Sequence, residues 1–346
     1  MKIVSLIIFF ISISCIYTVY GNNQSIDESR FVRIAGKDHW ISIRGENRAN
    51  PVILVLHGGP GSVLSPYSDS LFKKWYQDFV IVNWDQRGAG KTFGKNAPDT
   101  LAEDYFLKEP LVFKQMLKDG LELTKYITRY LDKKQLIVLG GSWGSLLGLR
   151  MVQESPSLFS AYVACAQVVS FPKNYDYAYR YLLKETEQTQ AKEVAEKLKE
   201  LGPPPYSSPK QLGQFLRLLR HWERRSVQPV TAHFWSMNPD YDTPKDQKHR
   251  FMGDDYSFLY FSGHEKLGIR PLAMHIDFSK MNPSFKVPLY FVSGEFDILT
   301  SIDVLKPWFE RIEAPDKELY IVKGAGHDWS PSILQKQLSI VKKLRQ

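Results

Sequence analysis

Residues 135–145 read Gln-Leu-Ile-Val-Leu-Gly-Gly-Ser-Trp-Gly-Ser. The apolar run Leu136 to Leu139 has the length and character of a strand buried on both faces, and Ser145 to Gln153 has the character of a helix. Between them Gly140-Gly141-Ser142-Trp143-Gly144 matches G-x-S-x-G. A serine on so sharp a strand-to-helix turn is lifted from the backbone with its hydroxyl facing a cleft. The flanking glycines omit the Cβ atoms that would collide with the neighbouring strand and helix. A plain glycine-rich turn with an incidental serine would share the motif, but it needs neither the strand before it nor the helix after it. Ser142 is therefore a candidate nucleophile.

The same strand-helix rhythm extends to both sides. Ser29 to Ile34 and His39 to Arg44 alternate apolar and polar residues around Gly36-Lys37-Asp38, which predicts an opening hairpin. Pro51 to Leu56 and Phe79 to Val82 are continuous apolar runs, each ending in a distinctive loop: His57-Gly58-Gly59-Pro60-Gly61 and Asn83-Trp84-Asp85-Gln86-Arg87-Gly88. Apolar residues at helical spacing from about Leu111 to Leu131 lead into the serine turn, and Ala161 to Val169 is the next strand-like stretch. From about Phe171 to Lys286 the chain is helix-rich, aromatic and charged, broken by Gly202-Pro203-Pro204-Pro205. Strand-like runs return at Val287 to Val292 and Glu318 to Val322, and a helix near Ser332 to Leu344 follows. Short apolar strands separated by helices predict an α/β fold, a mostly parallel sheet with helices on both faces. The interruption reads as a helical cap at the carboxyl edge of that sheet, where such folds bind ligands. The expected organisation is a sheet portion from 22–170 and 286–346, with the cap at 171–285.

A serine nucleophile needs a base to take its proton and a carboxylate to hold that base. Asp297 lies in Ser293-Gly294-Glu295-Phe296-Asp297, after one late strand, and His327 lies in Lys323-Gly324-Ala325-Gly326-His327, after the next. Alone, Asp297 could be a helix N-cap and His327 a surface histidine. Together, in the order Ser, Asp, His at successive strand ends, they predict a triad. Glu295, two residues nearer the strand, is the rival acid. The oxyanion formed by attack on a carbonyl needs donors: the Trp143 N–H and an N–H of the first glycine loop, Gly58 or Gly59, each contributing about 3 kcal/mol of transition-state stabilisation.

His57-Gly-Gly-Pro-Gly61, Asp85-Gln-Arg-Gly-Ala-Gly90 and Gly140-Gly-Ser-Trp-Gly-Ser145 resemble the signature loops of the proline iminopeptidase family of α/β-hydrolases. The similarity covers roughly residues 28–170 and 285–340. It implies an α/β-hydrolase fold with an inserted helical cap, and a serine peptidase that removes an amino-terminal residue, often proline, from short peptides, with no cofactor. It also implies that cap glutamates bind the free amine of the substrate, helped by a carbonyl of the glycine loop, for which Gly58 is the candidate. His221-Trp222-Glu223 resembles the cap Trp-Glu of that family, making Glu223 and Trp222 the candidate substrate-binding residues. Arg224-Arg225 follow where the family has small residues and could neutralise Glu223; the alternative reading is one exposed charge on a basic amphipathic helix. Lys91-Thr92 replaces the favoured Arg-Ser of the second loop. Cap aromatics (Trp235, Phe251, Tyr256, Phe258, Tyr260, Phe261) fit either the core of the cap or the wall of an apolar pocket.

Two neighbouring chemistries stay open at this point. An esterase, lactonase or amidase would use the same residues on substrates without a free amine, and a binding protein could keep the fold without catalysis. Dehalogenase and epoxide hydrolase chemistry needs an aspartate where this chain has Ser142. The 346 residues, 43% hydrophobic and 24% charged, are ample for a core. The formal charge of +8 is dispersed, with only doublets at Arg224-Arg225 and Lys342-Lys343, and no nucleic-acid motif accompanies it. The eight histidines show no paired metal-ligand spacing. Lys2 precedes an apolar run from Ile3 to Val19, and Val19-Tyr20-Gly21 suits a signal peptidase, so residues 1–21 are expected to be a secretory signal peptide. An uncleaved anchor or a lipid-modified Cys15 are the alternatives. Cleavage would take Lys2 and Cys15, lowering the charge to +7 and leaving Cys165 without an internal disulfide partner. Asn23-Gln24-Ser25 is a glycosylation sequon.

Overall fold

The computed structural model describes residues 25–345 apart from 99, 101, 207 and 282. The expected signal peptide, Cys15 and the sequon asparagine lie outside the described residues. Eight strands form one sheet: β1 (Ile26–Ile34), β2 (Lys37–Gly45), β3 (Val52–Leu56), β4 (Val80–Trp84), β5 (Leu136–Gly141), β6 (Phe159–Cys165), β7 (Leu289–Gly294) and β8 (Lys317–Val322). Their order is β1-β2-β4-β3-β5-β6-β7-β8. The hairpin β1–β2 and the pair β2–β4 are antiparallel, and every pair from β4 to β8 is parallel. The helices are α1 (Ser68–Phe72), α2 (Gly90–Asn96), α3 (Glu103–Lys108), α4 (Phe113–Leu131), α5 (Trp143–Glu154), α6 (Phe171–Gln188), α7 (Lys192–Leu201), α8 (Pro209–Glu223), α9 (Pro244–Ser262), α10 (Ile302–Glu310) and α11 (Pro331–Leu344).

The central parallel strands are mostly apolar because helices cover both faces, whereas the edge strand β8, which begins Lys317-Glu318, is partly exposed. Every residue of β3, β4 and β5 is buried. On β3, Val52, Leu54 and Leu56 face a core shared with Leu123 and Ile127 of α4 and Leu146 and Leu149 of α5. Ile53 and Val55 face the other, with Leu71 and Phe72 of α1 and Ile333 and Ile340 of α11. The two-residue alternation of a strand thus feeds two separate cores from one segment.

Helix α5 lies hard against the sheet. A Cβ at Gly144 would sit 2.1 Å from the Leu56 carbonyl oxygen and 2.7 Å from that of His57, both immovable backbone atoms. Gly144→Ala is therefore expected to cost about 3–5 kcal/mol, more than ordinary overpacking, because no side-chain rotamer can relieve the clash. Chemical denaturation reads this directly; an unchanged midpoint would mean that α5 can retreat from β3 without loss.

The apolar stretch that continues to Val169 is strand only as far as Cys165. Ala166 takes φ 49°, and its N–H turns to the Val292 carbonyl, which steers residues 166–169 away from the sheet and towards α6. Between β6 and β7 the chain forms α6 to α9 and, among the described residues, adds no strand to the sheet. That insertion is bonded to loops at the carboxyl edge of the sheet. Ser257 Oγ donates to the Gly88 carbonyl at 2.8 Å, Ser62 Oγ to Asp254 at 3.1 Å, and the Gln228 N–H to the Gly324 carbonyl at 2.9 Å.

Candidate active site

Ser142 stands between β5 and α5 with φ 51° and ψ −118°, a conformation L-residues adopt only under constraint. The constraint comes from both sides: its N–H donates to the Cys165 carbonyl, and its carbonyl accepts from Ser145 Oγ at 2.6 Å. The loop after β7 brings Asp297 and the loop after β8 brings His327. Ser142 Oγ lies 3.0 Å from His327 Nε2, and His327 Nδ1 lies 3.1 Å from both carboxylate oxygens of Asp297. Asp297 also accepts from the Thr300 N–H at 2.7 Å and from the Thr300 hydroxyl. With an acceptor-only carboxylate facing Nδ1, that nitrogen carries the proton, and Nε2 presents its lone pair to the serine hydroxyl.

The electrostatics follow from burial and pairing. Desolvation pushes the Asp297 carboxyl up, but the charge and hydrogen bonds of His327 and Thr300 outweigh it and hold the group below its ordinary value. For His327, desolvation works downward, yet Asp297 foremost, then Asp328 and Glu223, raises the imidazole to about 8. The rival acid, Glu295, is exposed and accepts from the Gly324 N–H at 2.9 Å instead. The structure thus brings Asp297, not Glu295, to the histidine.

The glycine loop after β3 reaches the same place. Gly58 packs against Ser142, with room for a Cβ only 3.4 Å from the serine Cβ, and Gly59 has φ 108°. Trp143 opens α5, so its N–H has no intrahelical partner. His57 braces this loop: its Nε2 accepts from the Gln86 N–H at 3.1 Å and its Nδ1 meets the Gly58 carbonyl at 2.8 Å. Burial lowers His57 to about 4, so the ring is neutral and Nδ1–H donates. The Gly58 carbonyl also accepts from the Ser62 N–H at 3.3 Å. Both of its lone pairs are engaged within the loop, so the expected Gly58 carbonyl contact to substrate is not open in this conformation.

The insertion contributes two carboxylates. Glu223, the last residue of α8, points at the histidine loop, and its Oε1 accepts the His327 main-chain N–H at 2.7 Å. Desolvation first, then the nearby Asp297 charge, raises it to about 7, with His327 opposing. It is not a solvated charge neutralised by its neighbours in sequence, because Arg225 stacks on Trp222 at 4.2 Å and Arg224 is exposed. Trp222 itself is buried among core side chains, with Arg225 stacked over its ring. The second carboxylate, Asp254 of α9, has no counterpart among the residues singled out from the sequence. It hangs over Gly61 and Ser62, reached by solvent yet crowded enough that desolvation raises its carboxyl. Of the cap aromatics, Phe261 meets the Trp143 ring edge-on at 6.1 Å, and Phe113 does so from α4 at 5.7 Å.

Among the described residues no cluster of three or more His, Cys, Asp or Glu could hold a metal ion, and no helix is long and apolar enough to cross a membrane. What the arrangement can do is activate a hydroxyl, hold a developing oxyanion and place negative charge nearby. Residues 51–329 match the family model described as the alpha/beta hydrolase fold. "Probable aminopeptidase YbaC" of Bacillus subtilis is 27% identical over 308 residues, which span 88% of this chain and 92% of that protein. Proline iminopeptidase of Arabidopsis thaliana is 24% identical over 295 residues, spanning 82% and 70% of the two chains. The crystal structure of a proline iminopeptidase from Mycobacterium smegmatis superposes with a TM-score of 0.59 at 18% identity, covering 92% of this chain and 97% of the other, a likeness of fold.

Proposed function

The chain belongs to the α/β-hydrolase family, and on that footing we propose that it is a serine aminopeptidase releasing a small amino-terminal residue, proline among them, from short peptides. The observation that carries the reading is the line Ser142–His327–Asp297, with contacts of 3.0 and 3.1 Å, and the Glu223 carboxylate of the insertion bonded to the His327 main-chain N–H. His327 takes the Oγ proton as Ser142 attacks the carbonyl of the first residue. The oxyanion is held by N–H groups of Trp143 and Gly59 or Gly58. Collapse of this intermediate breaks the peptide bond, and His327 returns the proton to the departing amine. Water then attacks the acyl-enzyme, giving its proton to His327, and the free amino acid leaves as Ser142 regains its hydrogen. Glu223 and Asp254 supply the negative charge that favours a substrate with a protonated amine close to the scissile bond. Export through residues 1–21 belongs to the same proposal.

The test compares proline-naphthylamide with its N-acetylated form and with a short acyl ester. The blocked amide is expected to lose about 100-fold or more in kcat/KM, because it has no cation to pair with Glu223 and Asp254. Asp254→Asn is expected to raise KM for the free amide about tenfold with a smaller change in kcat, because it weakens binding common to ground and transition states. Equal turnover of blocked and free amides would replace the aminopeptidase reading with an esterase or amidase one.

A further inference from the structure

The contact between Glu223 and His327 joins residues 104 apart in sequence, one ending α8 and the other following β8. We propose that Glu223 is a positioning residue for the base: its carboxylate holds the His327 main chain in place, and its charge favours the imidazolium that forms during each proton transfer. This rests on the reading of His327 as the base, and it gives the insertion a part in the chemistry that is independent of any substrate amine.

The local packing is built around this contact. Residue 326 has no side chain, and a Cβ there would lie 2.1 Å from Glu223 Oε1 and 2.7 Å from Val227. The carboxylate can approach the loop only because position 326 is glycine. The chain after Glu223 stays on the same loop, with the Gln228 N–H bonded to the Gly324 carbonyl at 2.9 Å. Two bonds therefore tie the end of α8 to residues 324–327, the segment that places the imidazole 3.0 Å from Ser142 Oγ. A displacement of about 1 Å at a proton-transfer contact is enough to cost on the order of 100-fold in rate.

The charges around Glu223 are few. Asp297 and Asp328 raise its carboxyl, and His327 lowers it. Arg220, one turn earlier on α8, is paired with Asp328 at 3.3 Å. Glu223 in turn is one of the groups that raise His327. Removing its charge therefore makes the imidazole easier to deprotonate, while removing its oxygen frees the loop. The two effects are separable: glutamine keeps an acceptor for the His327 N–H without the charge, and alanine keeps neither.

The experiment uses an uncharged aryl acetate, which has no amine for any carboxylate to bind, and the rate of phosphonylation of Ser142 by a neutral fluorophosphonate. Both are followed against pH in the wild type, E223Q and E223A. In E223A the plateau rate is expected to fall on the order of tenfold. E223Q should recover most of that loss. In both variants the acid limb should move to lower pH by about 0.5 or more, since the charge that raises His327 is gone. If E223A matches the wild type in plateau and acid limb on the acetate, and loses only affinity for proline-naphthylamide, Glu223 is an amine ligand alone and the proposal is overturned. Wild-type protein that neither turns over the acetate nor reacts with the fluorophosphonate would instead remove the Ser142–His327 reading, and this inference with it.

Discussion

Ser142→Ala is expected to lower kcat/KM for proline-naphthylamide by about 10⁴- to 10⁶-fold, and to abolish labelling by a fluorophosphonate. The size follows from what remains. Without Oγ no acyl-enzyme forms, and His327 can only assist direct attack by water, so the residual rate comes from the oxyanion donors and from substrate binding. The substitution is expected to leave the fold alone: among the described residues Oγ is bonded to His327 Nε2, while the bonds that hold the turn are made by the Ser142 main-chain N–H and carbonyl. Alanine also keeps the strained φ of 51°, so it should melt close to the wild type, whereas Ser142→Gly releases the strain and should gain about 1 kcal/mol. Activity of the alanine variant within tenfold of the wild type would mean that another residue is the nucleophile.

Asp297→Asn is expected to lower kcat about 10⁴-fold with little change in KM, through the proton inventory of the histidine. An asparagine can turn its amide NH2 toward Nδ1, which moves the ring proton to Nε2, the atom that must accept from Ser142. The change also alters pH dependence. In the wild type His327 sits at about 8, so kcat/KM falls as pH drops below that value and the base becomes protonated. Loss of the Asp297 charge, the largest influence raising the imidazole, moves this limb to lower pH. Stability follows the same pair. The His327 share is full below its unfolded value near 6.5 and is lost as pH rises through about 8. The Asp297 share is present above its ordinary 3.8 and is lost as pH falls through its depressed folded value. The stability deficit of the variant is therefore largest between about pH 4 and 6.5. Denaturation midpoints across pH, beside the rate profile, check both parts; a variant with wild-type kcat would move the acid role away from Asp297.

The sheet was readable because burial on both faces leaves little place for polar residues on β3, β4, β5 and β7, so each begins as an apolar run, with Asn83 and Ser293 coming only near the ends of β4 and β7. Ser142 and Asp297 were readable because each follows such a run, and His327 because it follows the shorter apolar stretch Leu319 to Val322 that ends β8. Other features left weaker traces. The end of β6 lies inside an apolar stretch, and nothing about Ala166 announces a left-handed turn. Asp254 leaves no such trace because α9 is pinned on more than one side. Gly253 and Ser257 meet the loop at Gly88, while Tyr256, Tyr260 and Phe261 join the core, so no single apolar stripe shows which way its polar residues face. Glu223 could be named from its neighbours His221 and Trp222. The bond to His327 could not, because sequence records that α8 is amphipathic and not which loop its end meets.

The proposed nucleophile and base are 185 residues apart, with the whole insertion between them. At about 5–20 residues per second, a ribosome makes Ser142 roughly 10–40 seconds before it reaches His327. Through that interval β5 and its turn can exist, but β7, β8 and the contact from α8 cannot all be in place. A growing chain therefore displays a serine with no base beside it. Competence to cut arrives late in synthesis, with the last strand of the sheet and the loop that follows it, and a prematurely terminated chain is inert as a hydrolase.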